Sequence, residues 1–235
     1  MALHFSVKSS TWLVFVLSLS GVNLSLSSQS CASSLSPRSQ AKLHDDGIRY
    51  VISRLSNEQQ AQRSAEIPSL VRNYCLRMGK PCLELRAMPA RPLNRTALLN
   101  AARTSVAFKR DANALLDAVR NAPDVAALEK ATSAIDRSAS THLSARESSQ
   151  LSAAAAIAQS SAKLWAPPDR GGRGGGGLIP PRAGTSRAEI DWNAVSEADS
   201  LGCITTVADG CWKNALLTSL AELEYQLGAD RDLHP

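Results

Sequence analysis

One polar cluster on a predicted helix has side chains that could transfer protons: His44 is followed directly by Asp45 and Asp46. An imidazole beside carboxylates can act as a general acid or base, because neighbouring carboxylates move the pKa of the ring. The same residues also suit a structural role near a helix start, in which the imidazole packs or hydrogen-bonds locally. The sequence favours the structural role and leaves these three residues as a candidate polar site.

Other signatures of catalysis are missing from the sequence. The four histidines are His4, His44, His142 and His234, and none has another histidine three or four residues further on, so a metal site is unsupported. The chain has no Gly-x-Ser-x-Gly, His-Glu-x-x-His or Cys-x-x-Cys motif. We therefore expect a protein that is not an enzyme, with no catalytic, cofactor-binding or metal-binding residues and no cofactor.

The cysteines could form two local disulfides. The chain has five, Cys31, Cys75, Cys82, Cys203 and Cys211. The last four are the candidate disulfide cysteines, although the sequence leaves three connectivities open and buried free thiols are the alternative. Gly79 and Pro81 lie between Cys75 and Cys82 and would turn the chain there.

A bridge between Cys203 and Cys211 requires a turn. In one continuous helix these residues would lie about 12 Å apart along the axis, and a disulfide tolerates a Cα separation of about 7 Å. Gly202 can end one helix and Asp209 can cap the next, which favours a helical hairpin. The alternative is a continuous helix with small residues at intervals of four: Ala194, Ala198, Gly202, Thr206 and Gly210.

The N-terminus has the order of a secretory signal. Lys8 precedes an uncharged run from Trp12 to Leu26, and small residues follow. That run is shorter than the roughly 20 apolar residues of a membrane anchor, so we predict a signal peptide over residues 1–30. Cleavage falls near Cys31, which is also where a bacterial lipoprotein would carry its lipid. The predicted location is therefore exported, either secreted or associated with the cell envelope.

Helical periodicity dominates the rest of the chain. After a flexible lead over residues 31–39, residues 40–166 read as an antiparallel bundle of about five helices, so the fold class is mainly α. One helix is expected to begin after Pro68. Another is capped by Asn94 and runs to Pro123, and a capping box at Ser144–Glu147 opens an Ala-rich helix.

A Gly/Pro-rich segment separates this bundle from the C-terminus. Residues 167–187 read as a flexible linker, residues 188–229 as the hairpin and residues 230–235 as a tail. The linker contains one short Arg-Gly repeat without aromatic residues, so we expect no nucleic acid partner. A second capping box, Ser186–Glu189, is expected to open the first helix of the hairpin.

The net charge of +5 is unevenly distributed. From Ala188 onward there are two basic and nine acidic residues, whereas residues 31–187 carry 23 basic and 12 acidic ones. In one interpretation the acidic hairpin docks onto the basic bundle. In the other, the bundle binds an acidic surface with the tail as a competitor. A membrane partner is expected only through a lipid on Cys31 or through the C-terminal segment.

Two short segments resemble a group of uncharacterised exported bacterial proteins. Leu43–Val51, LHDDGIRYV, resembles their LHNxGLDYV-type helix start, and Asp191–Gly202, DWNAVSEADSLG, resembles their C-terminal DWxxVxxADxxG segment. Asp45 stands where those proteins usually have asparagine, and their Gly/Ala run is replaced here by CITTVADGCWKNALL. The resemblance implies export and a helical body, and it implies no activity.

The sequence thus favours an exported, non-enzymatic helical protein that interacts with an unknown protein or with an acidic surface. The alternative is a membrane-active or bacteriocin-like effector that uses its C-terminal small-residue segment. Four charged residues within or beside that segment count against the alternative, because each would cost about 2.5 to 3.5 kcal/mol at the centre of a bilayer: Glu197, Asp199, Asp209 and Lys213.

Overall fold

Eight α-helices and two short 3-10 helices make up the described part of the protein, and that part contains no strand. The computed structural model describes residues 35–55, 60–80, 94–178, 190–206 and 210–229. The α-helices are α1 Pro37–Ile52, α2 Gln60–Arg77, α3 Arg95–Ala101, α4 Val106–Arg120, α5 Val125–Ala139, α6 Ala145–Trp165, α7 Trp192–Ile204 and α8 Cys211–Ala229. The predicted mainly helical bundle is confirmed.

Two of the predicted helix caps have the expected hydrogen bonds. Asn94 Oδ1 accepts from the backbone N–H of Ala97 at 2.9 Å. Ser144 Oγ accepts from the N–H of Glu147 at 3.3 Å, so the capping box does begin α6. Both caps bind N–H groups that have no partner within their own helix, which is why the helices begin at these positions.

The prediction of a single helix between Asn94 and Pro123 is wrong, because the structure has two helices in this range. α3 ends at Ala101 and α4 begins at Val106. Ser105 causes the break: its hydroxyl caps the N–H of Phe108 at 3.1 Å. Its own N–H donates to Glu147 Oε1 at 2.8 Å, so the start of α4 is tied to the start of α6.

The predicted start of the second helix after Pro68 is also wrong. α2 begins at Gln60 and contains Pro68 in its interior. Proline there removes one helical hydrogen bond, which is unfavourable. Packing outweighs this loss, because Ile67 and Val71 on either side of Pro68 are both buried in the core.

The alanine-rich helix α6 lies at the centre of the bundle and packs against α1, α5 and α7. Its buried face consists largely of small side chains, among them Ala153, Ala154, Ala158 and Ala162. Side chains of this size let neighbouring helices approach closely. α6 therefore packs against both α1, which carries His44, and α7 of the C-terminal hairpin.

The C-terminal hairpin belongs to the same hydrophobic core as the bundle. The sequence predicts that residues 188–229 form a hairpin tethered to the bundle by a flexible linker. In the structure the hairpin is instead part of the bundle, because α7 packs on α6, and α8 packs on α1 and α2. Trp212 and Leu216 of α8 are fully buried, and these large side chains find too little apolar surface on α7 alone. The described residues from Leu35 onward share one core.

The predicted bend and its disulfide are present. Cys203 and Cys211 form a disulfide with Cα atoms 4.1 Å apart, and both residues are fully buried. α7 continues to Ile204, two residues beyond Gly202, which lies instead where α7 meets α8. A Cβ atom at Gly202 would be 2.7 Å from the carbonyl oxygen of Asn214, so only glycine permits this approach.

The first half of the predicted linker is ordered against α6. Residues Pro168–Arg170 and Gly175–Leu178 form 3-10 helices. The backbone N–H groups of Arg173 and Gly174 donate to the carbonyls of Lys163 and Ala166 at 2.9 and 2.8 Å. These bonds satisfy carbonyls at the end of α6 and offset part of the entropy that the glycines lose. Residues 179–187 of the linker, and the Ser186–Glu189 capping box, lie outside the described residues. The prediction that this box opens the first helix of the hairpin is wrong, because α7 begins at Trp192 and Asp191 caps it by accepting from the N–H of Ala194 at 3.0 Å.

Candidate functional site

The imidazole of His44 lies inside the protein between two carboxylates. His44 is on α1 and is fully buried, with Nδ1 3.0 Å from Asp45 Oδ1. Its Nε2 lies 3.4 Å from Oδ2 of Asp199 on α7, which is also fully buried. This second contact is an ion pair at a distance longer than an ordinary hydrogen bond. The site therefore joins two helices that are 155 positions apart in the chain.

The two carboxylates favour the charged form of the imidazole. Burial by itself lowers the pKa of His44, but the charge of Asp199 and the interactions with Asp45 outweigh it and raise the pKa from 6.5 to about 10. At neutral pH His44 is thus an imidazolium held inside the bundle. It balances the charge of Asp199, which would otherwise be costly to bury.

Asp45 connects this buried pair to the surface. Its Oδ1 faces His44, and its Oδ2 accepts a hydrogen bond from Ser160 Oγ of α6 at 2.5 Å. In a Ser-His-Asp triad the histidine stands between the serine and the carboxylate. Here the carboxylate stands between Ser160 and His44, so the imidazole cannot take the proton of the serine. Both ring nitrogens of His44 face carboxylates, which leaves neither for a substrate.

Asp46, the third residue of the predicted cluster, is not part of the buried pair. It forms an ion pair with Lys42 at 2.5 Å on the outer side of α1, where its side chain is 44% exposed. The structure therefore brings His44 and Asp45 together and replaces Asp46 with Asp199. Sequence reasoning missed this role of Asp199, although a charged residue in the otherwise apolar and small-residue run ADSLGCI is a signal that could have found it.

Asp45 and Ser160 line a groove of about 920 Å³ between α1, α5 and α6. Most of the lining residues have polar or charged side chains, and the apolar ones are Pro37 and three alanines. The groove is lined by Ser36, Pro37, Arg38, Ser39, Ala41, Lys42, Asp45, Asp46, Arg49, Ser133, Asp136, Ser152, Ala155, Ala156, Gln159, Ser160, Lys163 and Arg173. No aromatic side chain contributes to it.

The cations of the groove differ in their partners. Lys42 pairs with Asp46, and Lys163 pairs with Glu129, both at 2.5 Å. Arg38, Arg49 and Arg173 form no ion pair with any carboxylate in the described ranges. Three guanidinium groups around one groove, each with a full set of donors, can bind an anion there.

Acidic residues of the hairpin are paired elsewhere on the bundle. Arg120 lies 3.2 Å from Asp191, and Arg95 lies 3.5 Å from Glu197. Burial raises the pKa of Glu197, and the charges of Arg120 and Arg95 act in the opposite direction. These contacts are of the kind expected when the acidic hairpin docks onto the basic bundle. They lie on α3, α4 and α7 and therefore leave the groove arginines free of these acids.

The remaining candidate residues have simple positions. Cys75 is buried in α2, and its predicted partner Cys82 lies outside the described residues, as do Cys31 and the signal segment. None of the described helices is long and apolar enough to cross a membrane. Within the described ranges, no group of three or more His, Cys, Asp or Glu side chains could hold a metal ion.

Comparisons with models of protein families, with curated protein sequences and with solved structures found no match for this chain. The resemblance of Leu43–Val51 and Asp191–Gly202 to exported bacterial proteins therefore stays a prediction.

The raised pKa of His44 predicts that the protein loses stability in alkali. The folded protein keeps the imidazole protonated up to about pH 10, while the unfolded chain releases the proton near pH 6.5. The stabilisation that the protonated imidazole gives is complete below the pKa of the unfolded chain and is lost as pH rises through the pKa of the folded protein. Between these two pKa values the free energy of unfolding falls by up to about 1.4 kcal/mol per pH unit.

Urea unfolding between pH 6 and 10 measures this slope. His44→Gln should flatten it by about one proton, because glutamine does not titrate. Equal slopes for the two proteins would contradict the assignment of a charged His44.

Proposed function

We propose that this protein is an exported, non-enzymatic helical module that binds an anionic partner in the groove between α1, α5 and α6. The observation that carries the proposal is the set of Arg38, Arg49 and Arg173 around the groove, none of which pairs with a carboxylate in the described part of the chain. Their donors are available to carboxylate, sulfate or phosphate groups, which guanidinium groups bind in bidentate geometry.

The position of Arg38 supports a role in binding. It lies in the first turn of α1, which contains no acidic residue. A cation there opposes the partial positive charge of the helix N-terminus and lowers helix stability by about 0.3 to 1 kcal/mol. Helix stability therefore does not account for an arginine at this position, whereas an anion bound in the groove would interact favourably with both the arginine and the helix end.

The arrangement of the polar side chains supports a non-enzymatic role. A general base needs a free acceptor within reach of a substrate. His44 is fully buried with both nitrogens facing carboxylates, and Ser160 donates to Asp45 and not to an imidazole. The groove thus offers groups that bind and orient a ligand, and neither Ser152 nor Ser160 of its lining donates to a histidine.

Export is supported by the signal-like N-terminus and by the buried Cys203–Cys211 disulfide, since structural disulfides persist in oxidising compartments. In a secreting host the intact mass is expected to show cleavage before a residue between Ser28 and Ser33. Recovery of the uncleaved chain from the cell interior would contradict export.

A matched pair of double variants tests binding in the groove. Arg38→Gln/Arg49→Gln removes two groove arginines, and Arg72→Gln/Arg77→Gln removes two exposed arginines from α2, so both variants have the same net charge. We expect the first to weaken binding to polyglutamate at least tenfold at 0.15 M salt, and the second less than twofold. Equal losses for both variants would mean that general surface charge, and not the groove, binds the anion.

A further inference from the structure

The groove combines two kinds of polar group that make opposite demands on a ligand. The guanidinium groups of Arg38, Arg49 and Arg173 only donate hydrogen bonds and carry positive charge, so they require an anionic acceptor. The carboxylates of Asp45, Asp46 and Asp136 only accept while ionised, and they repel anions. A ligand that bears anionic groups alone would meet this repulsion, and a neutral ligand would leave the arginines unneutralised.

A ligand that satisfies both sets carries acidic groups and hydroxyl donors together. The carboxylates have acceptor capacity beyond their contacts in the protein, since Asp45 accepts from His44 and Ser160, and an ionised carboxylate has about four acceptor positions. Asp136 likewise accepts from Ser152. Ser152 and Ser160 donate their hydroxyl protons to Asp136 and Asp45, and the Gln159 amide donates to Thr132 and Ser133. These groups therefore offer acceptor atoms, which suits a ligand whose surface is covered with hydroxyl donors.

The apolar part of the groove argues against a peptide. Tight interfaces with proteins depend on a few anchor residues, mostly Trp, Tyr and Arg, that are buried in well-packed pockets. The apolar residues of the lining are Pro37, Ala41, Ala155 and Ala156, so the groove has no aromatic or branched aliphatic side chain against which an aromatic anchor would pack. The volume of about 920 Å³ falls within the range of about 300–1,000 Å³ that small-ligand sites occupy.

From these observations we propose that the ligand of the groove is an acidic saccharide, a chain of sugar units that bear carboxylate groups. This inference rests on the proposed function and narrows it. The arginines bind the sugar carboxylates, and the aspartates, serines and Gln159 bind the ring hydroxyls. Asp45 contributes to the selection, because His44 and Ser160 hold its carboxylate in a defined orientation that accepts from hydroxyls and weakens the binding of ligands with anionic groups only.

Calorimetric titration of the full chain tests the inference with defined probes. The acidic probes are tetrasaccharides of galacturonate, of mannuronate and of alternating glucuronate and N-acetylglucosamine. The controls are a neutral glucose tetrasaccharide and tetraglutamate. We expect at least one uronate probe to bind at least tenfold more tightly than both controls, because the glucose probe lacks anionic groups and tetraglutamate lacks hydroxyl groups.

Two variants separate the contributions of charge and hydroxyl recognition. Arg38→Gln/Arg49→Gln should weaken binding of the uronate probe at least tenfold, and Arg72→Gln/Arg77→Gln should leave this binding unchanged. Gln159→Ala should weaken binding of the uronate probe about three- to tenfold and binding of tetraglutamate less than twofold. The substitution removes one neutral hydrogen-bonding group without changing the charge of the groove.

The outcomes distinguish this inference from the function on which it rests. If tetraglutamate binds as tightly as every uronate probe and its binding depends on Arg38 and Arg49, the saccharide inference is overturned and the proposed function stands. If no acidic probe binds, or if binding is indifferent to the groove arginines, both are overturned.

Discussion

Replacement of Asp199 with leucine is expected to lower the free energy of unfolding by about 3–5 kcal/mol, one of the largest effects of any single substitution in this protein. The change leaves the protonated His44 buried with Asp45 as its remaining carboxylate partner, and breaking a buried ion pair from one side costs about this much. Chemical denaturation followed by far-UV circular dichroism measures the loss.

A double-mutant cycle separates the ion pair from loss of packing. His44→Leu alone leaves Asp199 as an uncompensated buried carboxylate, whereas His44→Leu/Asp199→Leu removes both charges. We expect the double variant to lose at least 1 kcal/mol less than the sum of the two single losses, because the two side chains interact directly. Asp199→Asn, which keeps the shape and removes the charge, provides a milder single variant. Additive losses in the cycle would show that His44 and Asp199 do not interact.

Trp212→Ala is the second substitution with a large expected effect, a loss of about 3–5 kcal/mol of unfolding free energy. Among the described residues, Trp212 has the largest fully buried side chain, and it lies where α8 meets α2. Its ring contacts that of Tyr74 edge to face, with centroids 5.9 Å apart. Alanine would leave a cavity and remove one of the contacts that join the hairpin to the N-terminal helices.

Trp212→Phe serves as the control for this cavity. The indole Nε1 has no hydrogen-bond partner in the described part of the chain, so phenylalanine loses volume but no hydrogen bond. We expect Trp212→Phe to lose less than half of the unfolding free energy that Trp212→Ala loses. If phenylalanine is as destabilising as alanine, an interaction of the indole nitrogen, and not the filled volume, stabilises this part of the core.

Features set by neighbouring residues could be predicted from the sequence. The caps at Asn94 and Ser144 follow from short polar side chains ahead of helical periodicity, and the bend at Cys203–Cys211 follows from the reach of a disulfide. The break at Ser105 could not be predicted in this way. Part of its stabilisation comes from Glu147, which is 42 residues away in the chain.

The candidate site shows the same division. His44 and Asp45 are adjacent in sequence, so their association could be predicted, and Asp46 was grouped with them for the same reason. The choice of Asp199 depends on how α7 packs against α1 and α6, which no local pattern encodes. The groove also depends on tertiary packing, because its arginines come from α1 and from the segment after α6, about 120 positions apart.

The buried pair and the groove are linked through α1. His44 faces inward and Asp45 faces the groove from the next position, so the ion pair that ties α1 to α7 also orients a carboxylate of the groove. The hairpin thereby stabilises the groove without contributing a side chain to it, and its Asp191 and Glu197 are paired with Arg120 and Arg95.

The most direct test of the account is a map of amide chemical-shift changes in the ¹⁵N-labelled protein on titration with polyglutamate or with a uronate tetrasaccharide. Binding in the groove predicts that the largest changes fall at Arg38, Arg49 and Ser160, while Arg72 and Arg77 on α2 stay unchanged. Changes of equal size over all basic surfaces, or changes confined to α2, would contradict the assignment of the groove as the binding site.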